Sequence, residues 1–312
     1  MIMRVIRIGS RQSQLALWQA ERVRKLLQLH QPLYQYKVVC LTTKGDKFID
    51  VPLAKIGAQG LFTKELERAL LEGKIDLAVH SAKDLPTRLP EGLAIGAMLK
   101  REDPRDALLA REGLQLYQLP PGAIVGTSSL RRKAQLLHAR PDLKLVDLRG
   151  NIGTRVRRLE NGEFDAIVLA VAGIERLGWQ EKITQKLDYD LLLPAVGQGS
   201  IAVEAREDDE EIMTLIGQLD DQETRTAITA ERAFLAALQG GCQVPIGAIA
   251  EVREGLLRLQ GLVANLEGTT IIRDHLSGPA AAAVELGRAL ADSLLAQGAG
   301  EILASIRQGA CR

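Results

Sequence analysis

Through residues 1–200 short apolar runs alternate with helical patterns, and this rhythm constrains the fold more than any other feature of the chain. Strands are predicted over 3–8, 36–43, 75–80 and 93–99. Helices are predicted over 12–30, with Leu15, Trp18, Leu26 and Leu27 on one face, and over 63–72, stopped by Gly73. A polar break, Lys-Arg-Glu-Asp-Pro-Arg at 100–105, interrupts the pattern, which then restarts. Strands follow over 123–126, 144–148 and 164–171, with helices over 130–139 and 152–160. A second break, Leu-Pro-Ala-Val-Gly-Gln-Gly-Ser at 193–200, precedes a strand-like run at 201–205. Strands linked by helical crossovers form a largely parallel sheet with helices on both faces. The fold class expected is therefore α/β, as two such domains with the chain crossing between them twice, a hinge. Ligands of such folds bind at strand carboxyl ends, and a cleft between the domains is the expected place.

The remainder reads differently. A helix over 223–239 leads to three strands, 246–252, 256–264 and 269–273, and a long Ala/Leu-rich helix over 279–297. This describes a small α+β domain with a three-stranded sheet. The expected division is 1–99 plus 200–217, 105–193, and 222–312. Residues 44–60 mix glycines and charges without periodicity and are expected to be a long loop, with Lys55 placed to close as a lid.

Composition excludes several functions. Aromatic residues make up 3%, too few for the stacking on which single-strand nucleic-acid binding relies, and a net charge of +1 gives no global field for a polyanion. Anion recognition must come from local clusters. No run reaches the length of a membrane span, and the N-terminus has no signal-peptide layout, so a reducing cytoplasm is the expected compartment. Four histidines and three cysteines show no metal-ligand spacing. Cys40 is expected in the core and Cys311 at the surface. Cys242 stands apart: in Leu-Gln-Gly-Gly-Cys-Gln-Val-Pro-Ile-Gly it follows a glycine pair and precedes a turn, the setting of a nucleophile or a covalent anchor as well as of a buried structural thiol.

Polar clusters follow the strands. Arg11 and Ser13 stand where the first strand meets a helix start, a place that binds carboxylates or phosphates, although for this motif alone plain capping by Ser10 is the better explanation. Lys83 and Asp84 follow a buried-looking strand. Thr127, Ser128 and Ser129 precede Arg131 and Arg132 at a helix start, where a cation opposes the helix dipole unless an anion sits nearby. Arg149 and Arg155, then Arg176, follow the next two strands. Several guanidinium groups in one pocket suit a ligand with many carboxylates. No Walker loop or GxGxxG fingerprint is present.

Leu-Gln-Gly-Gly-Cys-Gln-Val-Pro-Ile-Gly-Ala, His-Ser-Ala-Lys-Asp-Leu-Pro, Gly-Thr-Ser-Ser-Leu-Arg-Arg, Leu-Arg-Gly-Asn-Ile-Gly-Thr-Arg and Pro-Ala-Val-Gly-Gln-Gly together resemble the porphobilinogen deaminase (hydroxymethylbilane synthase) family, collinearly from Arg7 to about Ala250. Gln239 departs from the glutamate associated with the family. The resemblance implies two domains similar to type II periplasmic binding proteins and a third bearing the cysteine. It implies a dipyrromethane cofactor joined to Cys242 by a thioether. It further implies addition of four porphobilinogen units with loss of ammonia, release of hydroxymethylbilane by hydrolysis, and a monomer. Loss of ammonia leaves an electron-poor azafulvene, and a carboxylate near its ring N–H, best supplied by Asp84, would stabilise it and carry protons. Arg11, Ser13, Lys83, Thr127, Ser128, Ser129, Arg131, Arg132, Arg149, Arg155 and Arg176 are then the carboxylate-binding set. A non-enzymatic solute receptor would share the two lobes but has no use for the cysteine loop.

Overall fold

The computed structural model describes residues 4–43, 63–241 and 244–310; Lys55 with the rest of 44–60, Cys242 and Cys311 lie outside them. In chain order the first strands and helices are β1 (Val5–Arg11), α1 (Gln14–His30), β2 (Gln35–Leu41), α2 (Lys64–Leu71), β3 (Leu77–Ser81) and β4 (Leu93–Met98). Then come β5 (Asp106–Ala110), β6 (Ile124–Gly126), α3 (Leu130–Ala139), β7 (Lys144–Val146), α4 (Ile152–Glu160), β8 (Ala166–Ala170), α5 (Val171–Arg176) and β9 (Gln185–Leu187). The last are β10 (Ile201–Arg206), α6 (Glu210–Gly217), α7 (Gln222–Ala237), β11 (Ile246–Arg253), β12 (Leu256–Ala264), β13 (Ile271–Pro279), α8 (Ala283–Leu294) and α9 (Gly300–Ala310).

The chain forms two compact units. Of the described residues, the first takes those up to Glu102 together with Ser200–Arg225, and the second takes Asp103–Gly199 with Thr226 onward. The sheet of the first unit has the order β2-β1-β3-β10-β4. β1 runs parallel to β2 and β3, while β10 is antiparallel to both β3 and β4. The second unit holds a sheet of matching order, β7-β6-β8-β5-β9, with β5 as its one antiparallel strand, and a separate antiparallel sheet β11-β12-β13. The expected class is met: two α/β sheets, each with four parallel strands and one reversed, and a three-stranded α+β portion. The reversed strands follow from connectivity, because β5 and β10 each begin a sheet passage just after the chain has crossed.

Each sheet is buried by its own helices. Val23 and Leu27 of α1 and Ile212 and Ile216 of α6 pack against Ile8, Leu77, Val79 and Val203 of the first sheet. α2 covers the same sheet with Leu66 and Leu70 against Ile75 and Ala78. Phe234 of α7 and Leu290 and Leu294 of α8 cover Leu257 and Leu259 of the third sheet. Complete burial of such side chains is worth roughly 1.5–3 kcal/mol each. The buried stripe of α1 is Ala16, Gln19, Ala20, Val23 and Leu27, whereas Trp18 and Leu26 are only partly buried. Cys40 corrects its expectation: it lies on the edge strand β2 and is exposed, whereas Val39 and Leu41 pack against the core under α2.

Within the second unit the third sheet docks on α3. Ile249, Leu262 and Ala264 meet Ala134 and Leu193. The β12–β13 turn presses Gly268 onto α3, where its carbonyl accepts from His138 at 2.9 Å. Gly268 has φ +70°, and a Cβ there would lie 2.3 Å from the Ala134 carbonyl oxygen. Gly268→Ala is therefore expected to cost more than about 1 kcal/mol, since both backbone and contact are incompatible with a side chain. A urea midpoint equal to that of the parent would contradict this.

Candidate active site

The first cluster forms where β1 and β3 end. α1 starts after Ser13, whose hydroxyl accepts from Ala16 N–H at 3.3 Å, making Ser13 rather than Ser10 the cap. Ser10 is buried and its hydroxyl turns to the Arg11 carbonyl. β3 runs into a single turn of 3₁₀ helix, Ala82–Asp84. One pocket results, lined by Arg11, Ser13, Leu15, Ala16, Gln19, Val79, His80, Ser81 and Asp84. The structure thus brings Arg11, Ser13 and Asp84 together from two sequence motifs. Lys83 stands beside Asp84 in the same turn and is half-buried.

Gln19 and His80 also line this pocket and are not among the residues that the sequence motifs single out. Gln19 is buried on α1 and donates to the Ser81 hydroxyl at 2.8 Å. His80 is 4% exposed and its Nε2 lies 2.9 Å from Glu204, a wholly buried carboxylate of β10.

The second cluster belongs to the second unit. β6 ends at Gly126, where a Cβ would meet Leu148, Phe164 and Ile167 at 3.0–3.1 Å. Thr127 is buried and its hydroxyl accepts from Ser129 N–H, Ser128 donates to the Leu148 carbonyl, and Ser129 caps α3. Arg131 and Arg132 turn inward. Arg131 Nη1 reaches Asp106 at 2.8 Å and the Leu193 carbonyl at 2.6 Å; Arg132 Nε and Nη2 reach Asp106 at 3.0 and 2.6 Å. The anion demanded by two arginines at a helix start is thus an internal one. Burial alone would raise the Asp106 carboxyl, but the two guanidinium charges win and hold it well below the usual carboxylate range. Burial lowers Arg131, yet a guanidinium stays charged. Two guanidinium groups against one carboxylate leave one positive charge over.

Arg149 follows β7. Its Nη1 is buried and has no hydrogen-bond partner among the described residues. A buried donor left open carries a desolvation cost that an acceptor from a ligand would remove. Arg155 of α4 donates from Nε to the Gly150 carbonyl at 2.8 Å, and Gly150 adopts φ +108° to make that turn. Arg176 ends α5, is 8% exposed, and donates to the Gly199 carbonyl at 2.8 Å.

α7 approaches the cysteine loop and ends in a Schellman turn. Gln239 N–H donates to Ala236 and Gly240 N–H to Leu235, with Gln239 in the left-handed region at φ +50°. A Cβ at Gly240 would press on the side-chain tips of Leu235 at 2.5 Å and Ile246 at 2.7 Å, which would have to shift; Gly241 faces open space. Arg307 of α9 donates to the Leu238 carbonyl at 2.8 Å and so holds this helix end.

Known proteins match this chain along nearly its whole length. A family model described as porphobilinogen deaminase, dipyromethane cofactor binding domain, matches residues 6–214, and one described as porphobilinogen deaminase, C-terminal domain, matches 225–296. The porphobilinogen deaminase of Pelotomaculum thermopropionicum is 54% identical over 305 residues, 98% of each chain. That of Moorella thermoacetica is 54% identical over 302 residues, covering 97% of this chain and 96% of the relative. Among solved structures, the periplasmic aliphatic sulphonate binding protein SsuA of Escherichia coli aligns at 16% identity with a TM-score of 0.42, over 75% of this chain and 70% of that one. The two family models account for both the α/β portion with its arginine-bearing strand ends and the portion that carries the cysteine loop. The chain belongs to the porphobilinogen deaminase family.

Proposed function

We propose that the protein is a transferase that condenses four porphobilinogen molecules head to tail, releasing ammonia at each addition, and frees hydroxymethylbilane by hydrolysis. The observation that carries this reading is the convergence of Arg11, Ser13 and Asp84 on one pocket. The dipyrromethane supplies the first pyrrole ring to which substrate is added, held by a thioether to Cys242. The donor chemistry suits it: each pyrrole bears acetate and propionate groups, and the open Arg149 Nη1 with the surplus charge at Arg131 and Arg132 offers matching cations. Arg155, Arg176, Lys83, Ser13, Thr127, Ser128 and Ser129 complete the carboxylate-binding set. Asp84 accepts the substrate's ring N–H and so favours the positively polarised ring that forms as ammonia leaves.

Three domains, 1–99 plus 200–217, 105–193 and 222–312, carry these parts. The protein works as a monomer in the cytoplasm. Intact-mass measurement tests the whole reading: a covalent two-pyrrole adduct that peptide mapping places on Cys242 supports it, and an unmodified thiol in active protein refutes it. Arg149→Leu is expected to lower adduct content and turnover together by tenfold or more, about 1.4 kcal/mol, as a charge-assisted hydrogen bond is lost. Wild-type content and turnover in that variant would remove Arg149 from the set.

A further inference from the structure

The interior of the first unit holds acidic groups for which the reaction above has no use. Glu204 of β10 is fully buried, and Glu67 of α2 is 5% exposed. Ala78 and His80 share one face of β3, and Ala78 packs under α2. Glu204 pairs with Ala78 and Ala202 with His80 across the β3–β10 ladder, so Glu204 and His80 are diagonal neighbours on that face. Their side chains meet at 2.9 Å. Beyond this contact, Glu204 Oε1 and Glu67 Oε1 are buried and accept no hydrogen bond among the described residues. Two buried carboxylates with open oxygens and, among the described residues, no arginine or lysine hydrogen-bonded to either carry a heavy desolvation cost, which one proton removes most cheaply.

The surroundings sharpen this. From α2 itself Lys64 acts on Glu67, from β3 His80, and from β10 Glu204. Arg206, the other ionisable group of β10, is turned to the Leu70 and Ile75 carbonyls and to Asp209. β4 contributes no titratable side chain to this face. Burial raises the Glu67 carboxyl above its ordinary range, and the Glu204 charge pushes the same way. The Thr63 hydroxyl, His80 and Lys64 oppose this without reversing it.

We propose that Glu67 is kept as a neutral carboxylic acid, and that Glu67, Glu204 and His80 form a buried proton-holding cluster joined through His80 to the pocket that contains Asp84. Ionisation of Glu67 then sets a second negative charge near Glu204 and disturbs the His80 wall of that pocket. The link to turnover rests on the function proposed above; the neutral acid itself does not.

The infrared difference spectrum between the parent protein and Glu67→Gln, recorded at neutral pH, tests the acid directly. A carboxylic-acid carbonyl band that the variant loses is expected, and its absence from the parent overturns the proposal. Urea unfolding against pH is the second reading. A carboxyl raised in the folded state contributes fully below its unfolded value, near 4.5, and loses that contribution as pH rises above it. The advantage of Glu67→Gln over the parent should therefore grow with pH; a constant difference overturns the neutral acid. Should Glu67→Gln not fold, Glu204→Gln removes the neighbouring charge, and the acid band should then disappear at lower pH than in the parent; an unmoved band counts against the cluster. Finally, the alkaline fall in kcat/KM should shift between parent and Glu67→Gln. An unshifted fall, with Asp84 still essential, overturns only the link to the pocket, whereas normal turnover by Asp84→Asn overturns the proposed function.

Discussion

Replacing Asp106 by asparagine is expected to cost about 3–5 kcal/mol of folding stability, the usual penalty for stripping one partner from a buried ion pair. The carboxylate is wholly buried and accepts from Arg131, twice from Arg132, and from Gln198 Nε2 at 3.0 Å. An amide keeps one acceptor oxygen and points two N–H donors at groups that are themselves donors. Both guanidinium groups would then stay charged inside the protein with no anion beside them. Against a total stability on the order of 5–15 kcal/mol, that loss leaves a protein close to unfolding at ordinary temperature. Urea titration at neutral pH measures it, and a variant within about 0.5 kcal/mol of the parent, the size of ordinary surface effects, would show that the pair is worth little. Asp106 is held below its ordinary value, so its contribution is complete above about pH 3.8 and declines only as pH falls below that. The gap between parent and variant should accordingly narrow in strong acid.

Asp84→Asn should leave the fold alone and remove most of the activity. Asp84 lies in a single 3₁₀ turn, is half-exposed, and lines the pocket with Arg11 and Ser13. The amide keeps its shape and loses the negative charge that would answer the developing positive ring. A group that stabilises charge or moves a proton in the transition state contributes roughly 10²–10⁴-fold, and kcat should fall by that factor with an unchanged thermal midpoint. Porphobilinogen consumption, followed beside the adduct mass on Cys242, separates failed elongation from failed maturation. Turnover at the parent rate would remove Asp84 from the mechanism.

Much of the fold was legible because periodicity reports burial. The helices Leu130–Ala139 and Ile152–Glu160 and the strand Leu256–Ala264 lie where the pattern put them. β5 was hidden because it opens on Asp106 directly after a polar break, and an aspartate entering a core strand makes sense only once its arginines are known. β9 is three residues long, too short to show a period, and α9 continues beyond a glycine-rich stretch that reads as a stop. The pocket was half legible. Arg11 and Asp84 were visible as charges at strand ends, but Gln19 was indistinguishable from a solvent-facing residue until α1 had been set on its sheet. The destination of Arg131 and Arg132 was beyond the reach of local pattern, since their partner lies some twenty-five residues upstream.

The position of β10 between β3 and β4 also sets an order of assembly during synthesis. β3 and β4 leave the ribosome early, yet the strand that joins them follows roughly a hundred residues later, a wait of about 5–20 s at ordinary elongation rates. The sheet of the second unit has all its strands by Leu187 and can close while the N-terminal one is still split. For that interval two nascent strands carry unpaired edges, the kind of surface that chaperones cover. A chain stalled before Ile201 would leave an unfinished N-terminal sheet beside a finished neighbour, and that is the state in which aggregation should begin.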